Sequence, residues 1–357
     1  MAPVKSAKSA KNGKSAGKSA AFERLREAVK AGTPAGAYLF YGEESYLRQN
    51  YVQQLQQLLV PAGFEEFNLH RLSGARLTAQ ELSEAVEAMP MMSQHTMVTV
   101  TDWDIFKLDE GQRSQLIELL SDLPEYCTLV FIYDTIPYKK DAKMRKLAAA
   151  LDKAVETVEF QPQQRDALVR WLQRRFKALG HEIDGPTADH MLFYCGTLMA
   201  GLVSETEKIA AYAKHPQITS KDIEAVSEPV LDARIFDMTN RITARDYNGA
   251  AQVLGDLLRM QTEPIVILGA VGKELRRLYT ARMAIDQGRD RFWLMELWEM
   301  KSDYPAKLLL QAARRISHEW CQWALKECQT LDRRMKSEKN IDREGELTRF
   351  IMELSGR

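Results

Sequence analysis

Cysteine is scarce in this 357-residue chain, and its placement argues against a structural metal centre. The four cysteines are Cys127, Cys195, Cys321 and Cys328, and no two of them form a CxxC pair. Structural zinc needs soft ligands at short, regular spacing, which this pattern does not provide. Isolated cysteines are typical of free thiols in a reducing cytosol, so we expect a cytoplasmic protein without disulfides.

Long apolar runs are also missing, and acidic residues are absent from the first twenty positions. No stretch approaches the roughly 20 apolar residues of a membrane span, so we predict no membrane partner. Residues 1–20 hold five lysines among Ser, Ala and Gly. Such a segment buries too little apolar surface to offset its chain entropy, and it lacks the apolar run of a signal peptide. We therefore predict a disordered basic tail over residues 1–20.

Catalytic signatures are not found either. The six histidines form no HExxH motif, and the chain has no GxSxG motif. Asp102 and Asp104 lie at the end of a predicted strand, where parallel sheets often place ligands. Without a second acidic cluster, we favour loop capping over metal binding for this pair. The sequence predicts no catalytic residues and no metal site.

What is present from Ala37 to Phe160 is an alternation of short apolar segments and helical patterns. Strands are predicted at 37–42, 67–72, 96–103, 128–134 and 154–160, and helices near 44–60, 78–89, 109–122 and 140–152. Strands that alternate with helices of this length predict a parallel sheet covered on both faces. The runs "YLFY" and "LVFIY" are apolar without alternation, as strands buried on both faces should be.

After Phe160 the sequence predicts only helices. The segment 162–180 is amphipathic and ends at Gly180, a frequent helix C-terminal signal. Thr219 and Asp222 have capping-box spacing, and Pro264 is suited to the first turn of the longest helix. A break at 227–233 separates two helical regions. We therefore predict an α/β domain at 21–160, a small helical domain at 161–230 and a larger one at 231–357.

The turn after the first strand lacks a phosphate-binding loop. A nucleotide site here would need the pattern GxxxxGK[ST], whose glycines and lysine hold the phosphates. In "YLFYGEESYLRQNY", Gly42 is followed by Glu43 and Glu44, with no second glycine and no lysine. Carboxylates would repel a triphosphate, and they suit the first turn of the next helix instead. We predict that no cofactor binds.

Two adjacent methionines follow the predicted helix "TAQELSEAVEAM". Leu82, Val86 and Met89 share a core-facing stripe with Ala85, and Pro90 should end the helix at Met89. Met91 and Met92 cannot both extend that one face. Two interpretations remain open: both side chains pack beneath the loop, or they form an exposed apolar knob for a partner, a role that suits flexible methionines.

A basic segment and a group of tryptophans each admit two interpretations. Five cations surround a predicted helix start, namely Lys139, Lys140, Lys143, Arg145 and Lys146. They form either a solvated helix face or a strip that contacts DNA phosphates. Core or inter-subunit packing is favoured over base stacking for Trp293, Trp298, Trp320 and Trp323.

Several segments together resemble one protein family, the delta subunit of bacterial DNA polymerase III. They are "YLFYGEESYL", "EAMPMMSQHTMVTV", "IPYKKDAKMRKLAAAL", "SETEKIAAY" and "IFDMTNRITARDYNGAAQVLGDLLRMQTEPIVILGAVGKELRRLY", followed near the C-terminus by "LKECQTLDRRMKS". The resemblance runs from about residue 37 to the C-terminus and leaves the basic tail outside.

The resemblance implies a fold and a task. It implies a degenerate AAA+ domain with a RecA-like parallel sheet, a helical lid and a helical collar that joins other clamp-loader subunits. The implied partners are the β sliding clamp, the ATPase subunits gamma/tau, delta-prime and primer–template DNA. Neighbouring subunits hydrolyse ATP in this family, so delta itself would be non-catalytic within the polymerase holoenzyme.

The resemblance also implies a clamp-binding site at the methionines. In delta subunits two bulky apolar residues at this tip enter a pocket on the clamp, and Met91 and Met92 occupy those positions, with Met89 beside them. Many family members have Leu or Phe there, so this chain departs from the usual residue types. The competing hypotheses are a stand-alone helical nucleic-acid-binding protein and an AAA+ ATPase with an unusual site.

Overall fold

The computed structural model of the protein describes residues 9–141, 143–300 and 303–356. It divides into two compact units. The first runs through Pro162 and includes Leu198–Ala200, and the second comprises Gln163–Thr197 and Gly201–Arg357. The predicted division of the helical part into a small and a larger domain remains a prediction.

The first unit is the expected α/β structure. Its strands are β1 (Ala37–Tyr41), β2 (Leu69–Ser73), β3 (Thr96–Thr101), β4 (Cys127–Ile132) and β5 (Glu156–Glu159). Its helices are α1 (Ser9–Ala31), α2 (Ser45–Leu59), α3 (Glu65–Asn68), α4 (Ala79–Glu87), α5 (Glu110–Ser121) and α6 (Arg145–Ala154). All strands pair in parallel in the order β2-β3-β4-β1-β5, which confirms the predicted parallel sheet.

Both faces of this sheet are buried. In β1, Leu39 belongs to the core cluster that contains Leu82 of α4, on one face, whereas Phe40 belongs to the cluster that contains Leu55 of α2, on the other. Successive side chains of a strand point to opposite faces, so an apolar run without alternation fills two cores at once.

The second unit is helical apart from one isolated bridge between Glu182 and Gln217 among the residues described. Its helices are α7 (Arg165–Ala178), α8 (Gly185–Cys195), α9 (Met199–Tyr212), α10 (Ser220–Val226), α11 (Leu231–Thr243), α12 (Tyr247–Arg259), α13 (Pro264–Asp286), α14 (Arg291–Leu297), α15 (Asp303–Ala313), α16 (His318–Ser337) and α17 (Arg343–Gly356). Only Met199 and Ala200 of α9 are grouped with the first unit.

The local helix signals are confirmed where they were predicted. Gly180 has a φ of 86° just beyond α7, Thr219 and Asp222 form a capping box on α10, and Pro264 opens α13. Within the described part of the chain, no helix has both the length and the apolar character needed to cross a membrane.

Two boundaries differ from the sequence-based expectation. Residues 1–8 of the predicted disordered tail lie outside the described residues, but α1 begins at Ser9, before the tail was expected to end. Alanine and lysine are good helix formers, and both are frequent in this segment, so the helix extends into the predicted tail. The segment predicted as a strand at 67–72 begins instead with α3, so that Phe67 and Asn68 are helical.

Candidate functional site

The segment from Met89 to Met92, called the methionine tip below, lies between α4 and β3. Helix α4 begins with a capping box in which the Thr78 hydroxyl accepts from the Glu81 N–H and the Glu81 carboxylate accepts from the Thr78 N–H. The buried residues Leu82 and Val86 hold the helix against the sheet. This anchoring fixes the position from which the tip projects.

All three methionines of the tip are exposed to solvent. The exposed fraction is 76% for Met89, 50% for Met91 and 80% for Met92. Large apolar side chains at adjacent exposed positions cost solvation free energy unless a partner covers them. The structure therefore favours the exposed knob over packing beneath the loop.

The prediction that Met89 continues the core stripe of α4 is wrong. The helix ends at Glu87, two residues before Met89. Proline disfavours helical conformation in the residue before it, so Pro90 removes Met89 from the helical face that it would otherwise share with Leu82. Met89 consequently joins the exposed tip.

Asn68 contacts the tip and was not identified from the sequence. Its buried side chain accepts a hydrogen bond from the Met91 N–H (2.8 Å) and donates one to the Met91 carbonyl oxygen (2.9 Å). Asn68 lies 23 positions before Met91, within the segment 67–72 that the sequence predicts as a strand. The sequence signal for this residue was its position as a polar side chain between the apolar neighbours Phe67 and Leu69.

The loop after β1 packs closely against the end of β5. Gly42 has a φ of 120°, and a Cβ atom built on it would lie 2.4 Å from the Phe160 carbonyl oxygen. The Arg48 side chain is buried, donates to the Gly42 carbonyl oxygen (2.7 Å) and pairs with Asp134. The chain's own groups thus occupy the space around this loop.

Glu44 lies in this loop, but its role differs from the one predicted. It precedes α2 as the N-cap residue and makes no side-chain capping bond. Its fully buried carboxylate instead accepts from the Met199 N–H at 3.2 and 3.3 Å, within the same compact unit. Burial raises the pKa of Glu44, although the Met199 N–H, which donates to its carboxylate, opposes this shift.

The five cations of the basic segment are exposed. Lys140 pairs with Asp152 at 2.5 Å. The side chains of the other four have no ion-pair partner among the described residues. Lys139, Lys140 and Lys143 precede α6, whereas Arg145 and Lys146 form its first turn, so the helix begins later than predicted. The segment thus presents four exposed cations, without an ion-pair partner among the described residues, at the start of α6.

Asp102 caps a loop, as was favoured from the sequence. Its carboxylate accepts from the backbone N–H of Asp134 (2.8 Å) and from the N–H and hydroxyl of Thr135 (3.0 and 2.6 Å). Asp104 pairs with Lys107 at 2.8 Å. No cluster of potential metal ligands was found in the part of the chain that the structure describes.

The tryptophans and cysteines contribute mainly to packing. All four tryptophans named above pack against the core of the helical unit, and the Trp298 indole N–H donates to the Thr280 hydroxyl at 2.8 Å. Cys127, Cys321 and Cys328 are buried as free thiols, and Cys195 is partly buried.

Comparison with solved structures gives only weak overall similarity. A clamp loader delta protein from Bacillus subtilis aligns with a TM-score of 0.49 and 22% identity, covering 94% of this chain and all of that chain. The RuvB Holliday junction branch migration motor of Thermotoga maritima aligns with a TM-score of 0.40 and 13% identity, covering 83% of this chain and 87% of that chain.

Comparison of sequences gives the family. The family model for the DNA polymerase III delta subunit matches residues 38–161, and the model for its C-terminal domain matches residues 232–354. The Bacillus subtilis (strain 168) DNA polymerase III subunit delta is 24% identical over 340 residues, covering 92% of this chain and 95% of that protein. A probable subunit delta from Aquifex aeolicus is 20% identical over 275 residues, covering 75% of this chain and 76% of that protein. The chain therefore belongs to the DNA polymerase III delta subunit family.

Proposed function

We propose that this chain is the non-catalytic subunit of the clamp loader that binds the β sliding clamp and helps to open the ring. The observation that carries the proposal is the exposure of Met89, Met91 and Met92 at the end of a firmly anchored helix. Family membership supplies the context of DNA replication. We place the protein in the cytoplasm, where the replication machinery operates.

The energetics of the methionine tip support a role as the main contact. Burying Met91 and Met92 in an apolar pocket would contribute about 3–6 kcal/mol before the costs of association. An exposed ion pair contributes roughly 0–1 kcal/mol. The two methionines would therefore form the hot spot of the interface.

Ring opening follows from unequal affinity for two shapes of the clamp. A ligand shifts an equilibrium between conformations only by the difference between its affinities for them. The tip would hold the clamp in an open-prone shape without any chemical step in this chain. The gamma/tau ATPase subunits and delta-prime would join it through the helical region 231–357, and primer–template DNA would enter the assembled loader.

The loop after β1 supports the absence of catalysis by this chain. The close approach of Gly42 to Phe160 and the inward position of Arg48 fill the region where a phosphate loop would need open space. The Glu44 carboxylate places a further acceptor there. These features disfavour binding of a nucleoside triphosphate.

The test is clamp binding by a double variant, Met91→Ala with Met92→Ala. The cognate clamp is immobilised, and dissociation constants are measured by surface plasmon resonance. We expect the affinity to fall at least 100-fold, which corresponds to about 3 kcal/mol. The matched control is Met260→Ala, because Met260 is 58% exposed at the end of α12, far along the chain from the tip.

Assembly with the other loader subunits separates this effect from misfolding. The double variant should elute with the reconstituted loader in size-exclusion chromatography as the wild type does. Clamp affinity that is unchanged in the double variant would contradict the proposed function.

A further inference from the structure

Asn68 has an unusual environment for an asparagine. It is fully buried, although asparagine side chains are mostly exposed in proteins. A buried amide is stable only when its donors and acceptor are hydrogen-bonded. Here the side chain also donates to the Phe64 carbonyl oxygen at 3.2 Å, in addition to its two bonds with Met91.

The two bonds to Met91 engage both polar groups of one peptide backbone position. The Asn68 amide thereby pairs with Met91 much as a neighbouring strand would, although the chain around Met91 belongs to no helix or strand. The bond pair fixes the backbone in the middle of the methionine tip. With the Met91 backbone fixed, the side chains of Met91 and of its neighbour Met92 are held in defined directions.

Met92, the next residue, has a backbone conformation that needs support. Its φ is 53°, in the left-handed region that residues other than glycine seldom occupy. Such a conformation persists only where the surrounding structure determines it. The bonds to the preceding residue supply that support from a buried side chain.

We propose that Asn68 is a positioning residue that holds Met91 and Met92 in their exposed, binding-competent arrangement. The inference rests on the proposed function. Without Asn68 the tip would sample other conformations, including ones in which the methionines fold onto the protein surface. The apparent dissociation constant rises in proportion as the fraction of competent molecules falls.

The chemistry of the contact makes asparagine specific. The asparagine amide offers an acceptor for the Met91 N–H and, on a second atom of the same planar group, a donor for the Met91 carbonyl oxygen. Asn68→Ala removes both bonds. Asn68→Asp has almost the same shape and keeps the acceptor, but its ionised carboxylate cannot donate and faces the Met91 carbonyl oxygen.

The experiment uses the full chain and the cognate sliding clamp, with dissociation constants and hydrogen–deuterium exchange measured for each variant. For Asn68→Ala we expect a loss of clamp affinity of about tenfold or more and faster exchange at the Met91 amide. For Asn68→Asp we expect weakened clamp binding while the Met91 amide stays protected. The control Asn50→Ala, which removes a side chain that contacts Gln54 within α2, should change neither quantity.

A second comparison separates positioning from general stability. In the Met91→Ala, Met92→Ala background, Asn68→Ala should cause no further loss of clamp affinity, because there is no apolar pair left to position. An equal loss in both backgrounds would overturn the proposal, as would wild-type clamp affinity in Asn68→Ala.

Two further outcomes concern the folding of Asn68→Ala and the clamp affinity of the double methionine variant. If Asn68→Ala loses exchange protection throughout the sheet, Asn68→Asp replaces it, and wild-type clamp affinity in that variant overturns the proposal. If the double methionine variant itself keeps full clamp affinity, the proposed function fails. The Met91 amide in Asn68→Ala then still tests whether Asn68 holds the tip.

Discussion

At the scale of single residues, Asp102 shows how a side chain at a strand end serves the fold. Its φ is 56°, and its carboxylate accepts hydrogen bonds from the segment that follows β4. Burial acts to raise its pKa, but the Thr135 hydroxyl and the N–H groups of Asp134, Ile136 and Thr135 together lower the pKa below its ordinary value. The ionised form is therefore the one that stabilises the loop.

We predict that Asp102→Asn lowers the free energy of unfolding at pH 7 by on the order of 1 kcal/mol. Asparagine tolerates a positive φ, so the change isolates the charge. Because the folded pKa is lowered, the advantage of aspartate is present above the unfolded pKa of about 3.9 and is lost as the pH falls through the folded pKa.

Urea denaturation of both proteins at a series of pH values measures this difference. Asp122→Asn serves as the control, since Asp122 is an exposed residue at the end of α5. A difference between Asp102→Asn and wild type that stayed constant down to pH 3 would contradict the assignment of the effect to the charge.

Residues whose environment depends on near neighbours were predictable. Pro264 and the Thr219–Asp222 pair were assigned from local spacing, and both are confirmed. Glu44 and Asn68 were not, because their carboxylate and amide find partners far along the chain, at Met199 and Met91. Local sequence carries no signal for such contacts.

At the scale of elements, the basic segment before and within α6 presents a group of exposed cations. Lys140 is paired with Asp152, which leaves four exposed cations near the start of the helix, namely Lys139, Lys143, Arg145 and Lys146. Cations that contact phosphates release counterions when the protein binds. On duplex DNA the logarithm of the binding constant therefore falls with the logarithm of the salt concentration, with a slope of about 0.9 for each contact.

We predict that glutamine at all four positions makes the salt dependence of DNA binding by the assembled loader shallower. The expected change in slope is about 1–4, depending on how many of the side chains reach a phosphate. Fluorescence anisotropy with primed DNA at several salt concentrations measures it. Lys140→Gln is the matched control, because Lys140 is already paired, and an unchanged slope in the quadruple variant would favour a solvated helix face.

Element boundaries were predicted best where a strong local signal exists. The Thr78 capping box sets the start of α4. The helix ends at Glu87 instead of the predicted residue 89, because Pro90 disfavours helical conformation in the residue before it. The short helix α3 was missed because strand β2 follows it directly, so that its last two residues fell within the segment predicted as a strand at 67–72.

At the scale of the whole molecule, the α/β unit combines a parallel sheet with a loop after β1 that packs closely against the end of β5. The parallel pairing of the strands and the helices on both faces are those of the predicted fold class. Gly42 lies close to the Phe160 backbone, and the buried Arg48 side chain donates to the Gly42 carbonyl oxygen, so we expect little room for a triphosphate at this loop.

We predict that the purified chain shows no saturable binding of ATP in the millimolar range, in the presence or absence of magnesium. Isothermal titration calorimetry measures this directly, with a gamma/tau subunit as the positive control. Saturable binding by the isolated chain would revive the hypothesis of an ATPase with an unusual site.

The sequence by itself determined the class of fold, the change from α/β to helical structure near residue 160, and the lack of a phosphate-binding pattern. These follow from hydrophobic periodicity and local motifs, which depend on residues close together in the chain. Only the tertiary structure decided that Met89 leaves the core, that both adjacent methionines face solvent, and that Asn68 hydrogen-bonds to the backbone of Met91. The physical reason is that exposure and long-range hydrogen bonds depend on which distant segments pack together.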